Sequence, residues 1–109
     1  MKFKGLNGMS YRVRRVDKNQ PAIVAKFRAL GCTVAILSSI GNGIPDLLIS
    51  FRGWTCLVEV KDGSKAASAQ KLTTMEKDFF DSWQGNIAIV RDENDAERLI
   101  EGATSNMLL

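Results

Sequence analysis

Arg52-Gly53 sits between two runs with strand character, Leu47-Leu48-Ile49-Ser50-Phe51 and Trp54-Thr55-Cys56-Leu57-Val58-Glu59-Val60, and constrains the fold more than any other feature. A two-residue turn at that dipeptide makes Phe51 face Trp54. Counting outward along an antiparallel ladder then sets Asp46 opposite Glu59. Side chains two apart on a strand point the same way, so Lys61 joins the two carboxylates. Leu47, Ile49 and Phe51 share the opposite face with Cys56, Val58 and Val60. One face of the hairpin is therefore core, and the other carries the groups capable of chemistry.

Two carboxylates held across a ladder, about 4.5–5.5 Å apart at Cα, repel unless a positive charge lies between them. Their hard oxygen donors suit Mg²⁺ or Mn²⁺, which leave coordination positions for water and phosphate. Asp46 and Glu59 are the expected metal ligands, with the Val60 carbonyl as a further one. Lys61 supplies an ammonium beside an attacking water, where it can orient that nucleophile and stabilise charge building on a phosphate. This outlines a site for phosphodiester hydrolysis. The competing reading is an exposed ion cluster of little energetic value. Against it, Glu59 lies inside the apolar run Cys56-Leu57-Val58-Glu59-Val60, where an uncompensated carboxylate is costly.

The absence of histidine excludes Ser-His-Asp and Cys-His hydrolases and any nuclease with a histidine base. Cys32 and Cys56 stand in apolar surroundings with no CxxC spacing, which predicts buried, reduced thiols. With 109 residues, 45% of them hydrophobic, the chain suits one core. It has neither a membrane-length apolar stretch nor a secretory leader pattern, so cytoplasmic localisation is expected.

Charge is uneven. Lys2, Lys4, Arg12, Arg14 and Arg15 precede the first acid, Asp17, so these five cations exceed the formal net charge of +3 and leave −2 for the rest. Residues 1–14 read as a basic arm and 15–109 as a single domain. Arg12, Arg14 and Arg15, with Lys65 and Lys71 beside the hairpin, are the expected contacts to a phosphate backbone. The alternative for the arm is a solvated tail.

The first helix is expected from Asn19, as cap, through Ile23, Val24, Phe27 and Leu30 to Gly31, with Gln20 projecting from its start. Thr33-Val34-Ala35-Ile36-Leu37 reads as a buried strand. Ser38 to Gly43 reads as a Gly-rich loop in which Ser39 is a candidate phosphate contact, with a plain turn as the alternative. Asp62 to Lys71 is a polar loop. Thr73 and Glu76 form a capping box for a helix with a core stripe of Phe79, Phe80 and Trp83 and a stop at Gly85. Glu76 thus reads as a cap. Asn86 to Val90 is the last strand, and Asp92 to Ile100 a short acidic helix. Trp54 at the hairpin tip either stacks on a base, joins a dimer interface or packs under a helix.

The order helix, strand, Gly43-Ile44-Pro45-Asp46, hairpin, Glu59-Val60-Lys61, polar loop, helix, strand resembles the PD-(D/E)XK nuclease superfamily. It is most similar to the virus-type replication-repair nuclease (VRR-NUC) family in its stand-alone phage or bacterial form. The resemblance runs from about Arg15 to Ile100. It implies an α/β, restriction-endonuclease-like core, with a central mixed sheet of about four strands flanked by helices. It also implies Mg²⁺- or Mn²⁺-dependent cleavage of DNA, with branched DNA as substrate and a Holliday-junction-resolvase-like homodimer as the acting form. Asp46, Glu59, Lys61 and Gln20 are then the catalytic set. Gln20 departs from the pattern, since the superfamily often has a Glu there. The family often has a Gln in the place of Glu76, and the resemblance thus implies a supporting role near the site for Glu76 or the nearby Gln70 as the alternative to capping. The alternative is a nuclease-fold module that binds DNA without cutting it. For a dimer, Trp54 and Ile40 are the expected apolar contacts.

Overall fold

The computed structural model describes residues 16–107. The proposed arm, with Arg12 and Arg14, and the adjacent Arg15 lie outside the described residues. Helix α1 (Gln20–Ala29) leads to strand β1 (Thr33–Ile36), then to the hairpin β2 (Leu47–Phe51) and β3 (Trp54–Val60). A single turn of 3₁₀-helix (Ala67–Gln70), helix α2 (Thr74–Ser82), strand β4 (Ile87–Val90) and helix α3 (Glu93–Met107) follow. The strands form one mixed sheet in the order β1-β2-β3-β4, antiparallel except for the parallel β3/β4 pair. The hairpin occupies the centre, as expected.

Turn chemistry sets the hairpin. Arg52 and Gly53 both take positive φ, 50° and 84°, the backbone of a type I′ turn whose twist matches the flanking strands. Phe51 pairs with Trp54 and Leu47 with Val58, the expected register. The buried face carries Leu47, Ile49, Phe51, Cys56, Val58 and Val60. Ile23, Val24 and Phe27 of α1 pack on them, together with Ala96 and Ile100 of α3. Cys32 and Cys56 are buried free thiols, as expected. Trp54 is half-buried and packs against this cluster.

Three expectations need correction. The segment from Thr33 is not a buried strand: β1 is an edge strand, and Ile36 is 56% exposed. Its apolar composition suggests burial, but only β2 pairs with it. Second, Phe79, Phe80 and Trp83 are not a core stripe. The phenylalanines are half-buried outside the core cluster, and Trp83 is 43% exposed, with its ring stacked on Phe79. Helix α2 reaches the sheet through Glu76 on the Lys61 face, away from α1 and α3. It ends at Ser82, where Trp83 turns extended, before Gly85 is reached. Third, α3 runs to Met107, because Ala103 continues the buried stripe of Ala96 and Ile100 past Gly102. Among the described residues no helix is long and apolar enough to cross a membrane.

Candidate active site

Six polar or charged residues are buried among the described residues: Gln20, Ser38, Asp46, Glu59, Lys61 and Glu76, each at most 8% exposed. They fall into two hydrogen-bonded groups that meet where β2 and β3 lie side by side. Gln20 begins α1, Ser38 and Asp46 bracket the loop between β1 and β2, Glu59 lies at the end of β3 with Lys61 immediately after the strand, and Glu76 lies in the first turn of α2. Four segments distant in sequence therefore converge at one end of the sheet.

In the first group the Gln20 side-chain amide donates to Ser38 Oγ at 3.0 Å, and that hydroxyl donates to Asp46 Oδ1 at 3.3 Å. The Val60 N–H donates to Asp46 Oδ2 at 2.8 Å. Asp46 thus takes a backbone donor from β3 with its carboxylate, which fixes that side chain against the strand carrying Glu59. The Leu37 N–H donates to the Asp46 carbonyl at 2.7 Å and extends the β1/β2 ladder to this point.

In the second group the Lys61 ammonium donates to Glu76 Oε1 at 2.9 Å and lies 3.6 Å from Glu59 Oε2. Burial works to lower the lysine pKa, but the hydrogen bond and charge of Glu76, with those of Glu59, outweigh it and hold the pKa above its ordinary value. For Glu76, burial works to raise the pKa. The Thr73 N–H, the Lys61 ammonium and a hydrogen bond with Glu59 outweigh it, and the pKa falls below the usual glutamate value. At neutral pH both members of the Lys61–Glu76 pair are charged.

The loop before Asp46 is shaped by its contact with α2. Gly41, Asn42 and Gly43 take positive φ in succession, and a Cβ at Gly43 would lie 2.4 Å from the Met75 carbonyl oxygen. Gly43 is therefore required for close approach of the loop to the start of α2.

The structure brings Gln20, Asp46, Glu59 and Lys61 together, with the Val60 peptide beside Asp46. It does not bring the other expected contacts into this cluster. Ser39 is exposed, and the neighbouring Ser38 is the one that meets Asp46. Lys71 is exposed, and Lys65 pairs with Asp17 at 3.3 Å. Gln70 instead pins the polar loop: its amide donates to the Lys65 carbonyl and its oxygen accepts from Arg91 Nε. Asn19 occupies the cap position of α1 but makes no side-chain cap bond. Its amide donates to the Lys61 and Arg91 carbonyls at 3.0 and 2.9 Å, tying the start of α1 to the ends of β3 and β4. Glu76 completes the capping box with Thr73 and also holds Lys61.

A mixed four-stranded sheet with paired acidic residues and a lysine at the end of a central hairpin defines a nuclease-fold domain. No family model and no curated protein matches the chain. A solved structure described as a VRR_NUC domain does match, at 34% sequence identity and a TM-score of 0.53, over 77% of this chain and 91% of that one. The chain belongs to the VRR_NUC domain family.

Proposed function

We propose that the protein is a Mg²⁺- or Mn²⁺-dependent endonuclease that hydrolyses phosphodiester bonds in branched DNA and acts as a homodimer, in the manner of a Holliday junction resolvase. The observation that carries this reading is the convergence of all six buried polar and charged residues, among the described residues, on the Asp46–Glu59–Lys61 cluster. Burying three carboxylates and an ammonium costs stability, so a fold that does so at one end of its sheet is organised around their chemistry.

The donor set fits a hard divalent cation. Among the described residues no group of three or more acidic, histidine or cysteine side chains is placed to hold a metal ion. A cation here would rest on Asp46 and Glu59, the Val60 carbonyl and water, the sparse oxygen set that Mg²⁺ tolerates. When bound it would supply Lewis-acid polarisation of a phosphate oxygen and activation of water. The chain's own groups do the rest. Ser38 and the Val60 N–H fix the Asp46 carboxylate, with Gln20 acting on it through Ser38. Lys61 offers an ammonium to the attacking water and to charge developing on the phosphate. The solvent-facing Lys65 and Lys71, the arm residues Arg12 and Arg14 and the adjacent Arg15 attract the phosphate backbone without reading bases.

The reading as a DNA-binding module that does not cut rests on the neutral Gln20. Bonded to Ser38, however, Gln20 serves to hold Asp46 without being a ligand itself, so its neutrality does not disarm the site. A symmetric dimer would give each strand of a four-way junction its own site. Ile40, 54% exposed on the loop beside Asp46, remains the candidate contact, since Trp54 packs on the core. The test is cleavage of linear, flapped and four-way DNA with Mg²⁺ or Mn²⁺, alongside sedimentation at micromolar concentration. Paired symmetric cuts in the junction by a dimer are expected. A protein that binds all three DNAs and cuts none would overturn the reading.

A further inference from the structure

Glu76 has more partners than a helix cap needs. A capping-box glutamate reaches back to the N–H of the cap residue at a helix end that ordinarily faces water. Here the Thr73 N–H donates to Glu76 Oε1 at 2.9 Å, yet the residue is 7% exposed, and the same oxygen accepts from the Lys61 ammonium at 2.9 Å. The lysine is nearer to Glu76 than to Glu59, from which it stands 3.6 Å.

The charges explain the arrangement. Without Glu76, the Lys61 ammonium would offset one of the two negative charges of Asp46 and Glu59, leaving a single charge to attract a divalent cation. The Glu76 carboxylate, 2.9 Å from the ammonium, answers it, so that Lys61 does not cancel the charge that Asp46 and Glu59 can offer a divalent cation. We propose that Glu76 is a positioning residue: it holds and neutralises Lys61 from α2, so that Asp46 and Glu59 keep the charge needed for a divalent cation while the ammonium stays aimed at the site. Gln20 being neutral, Glu76 is the third carboxylate of the cluster, and it acts through Lys61. This inference rests on the functional reading above.

Two substitutions separate this role from capping. Glu76→Gln keeps an oxygen for the Thr73 N–H and removes the charge. Thr73→Ala removes the hydroxyl that accepts from the Glu76 N–H and leaves the Glu76 carboxylate in place. Each variant, with the wild type and Asp46→Asn, is measured for Mn²⁺ affinity by calorimetry, for single-turnover cleavage of four-way DNA, and for thermal stability. Glu76→Gln is expected to lose about tenfold or more in both Mn²⁺ affinity and rate, the range for residues that support metal ligands, and to melt below the wild type as well, since it removes one charge of the buried pair. Thr73→Ala is expected to lower the melting temperature and to keep Mn²⁺ affinity and rate near wild type. Glu76→Gln matching the wild type or Thr73→Ala in Mn²⁺ affinity would overturn the inference. A wild type that binds Mn²⁺ without cutting would instead overturn the functional reading, with the affinity comparison still deciding the role of Glu76.

Discussion

Replacing Lys61 with methionine keeps the length of the side chain and removes its charge, and the consequence follows from two distances. The ammonium lies 2.9 Å from Glu76 and 3.6 Å from Glu59. At an effective dielectric constant of about 20, these correspond to gross attractions of about 6 and 5 kcal/mol. Desolvation of the charges offsets much of that, and breaking a buried pair by removing one partner costs about 3–5 kcal/mol net. A domain of this size loses roughly 4–8 °C of melting temperature per kcal/mol, so Lys61→Met should melt at least about 12 °C below the wild type at pH 8. The deficit depends on pH. Glu76, with its pKa held below 4.5 in the folded wild type, contributes stability that is present above that value and lost as pH falls through the depressed one. Lys61, raised above 10.5, contributes stability that is full below 10.5 and lost as pH rises through the raised value. In the variant a proton can replace the missing ammonium, so the deficit should shrink as pH falls from 8 towards 4.5. Paired thermal melts at pH 8 and pH 5, without divalent cations, read both effects. A variant that melts with the wild type at both pH values would refute the claim that this ion cluster is buried and coupled.

Other outcomes follow from the same structure. Deleting residues 1–14 should weaken binding to unrelated DNA sequences alike and flatten the dependence of affinity on salt, by about 0.9 in logarithmic slope for each phosphate no longer neutralised; an unchanged slope would remove the arm from the interface. Gly43→Ala combines a φ of +80° with a Cβ placed 2.4 Å from the Met75 carbonyl oxygen, so it should cost at least about 2 kcal/mol in chemical denaturation, and a neutral result would mean that the loop can lift from α2. Burial pushes the Cys56 thiol up to about 12, so at pH 8 it should resist alkylation in the native protein and react in urea; rapid native labelling would contradict its place in the core.

Local chemistry explains which parts of this fold are legible in the amino-acid sequence. The hairpin register is legible because Arg52-Gly53 admits a type I′ turn and the strands alternate, which is enough to put Asp46, Glu59 and Lys61 on one face. The capping box at Thr73 and Glu76 is legible for the same reason. What depends on long-range packing is not. Nothing in Thr33 to Ile36 marks an edge strand, since apolar β-branched residues serve edges and centres alike. Choosing Ser38 over Ser39 requires the β1/β2 register. Asn19 has the composition of a cap, but two strand ends 42 and 72 residues away claim its amide. Local spacing assigns Glu76 its capping role alone, because its second partner comes from another element of the fold.

The most direct test is single-turnover cleavage of four-way DNA by the wild type, Asp46→Asn and Glu59→Gln, with DNA affinity measured on the same preparations. Each amide replaces a carboxylate without changing its shape, leaving the fold and the basic surfaces in place. The wild type should cut only with Mg²⁺ or Mn²⁺ present, and both variants should bind the junction and fail to cut it, with rates lowered by about 10³ or more as expected for loss of metal-based activation. Wild-type cleavage by Asp46→Asn would contradict the assignment of chemistry to this end of the sheet.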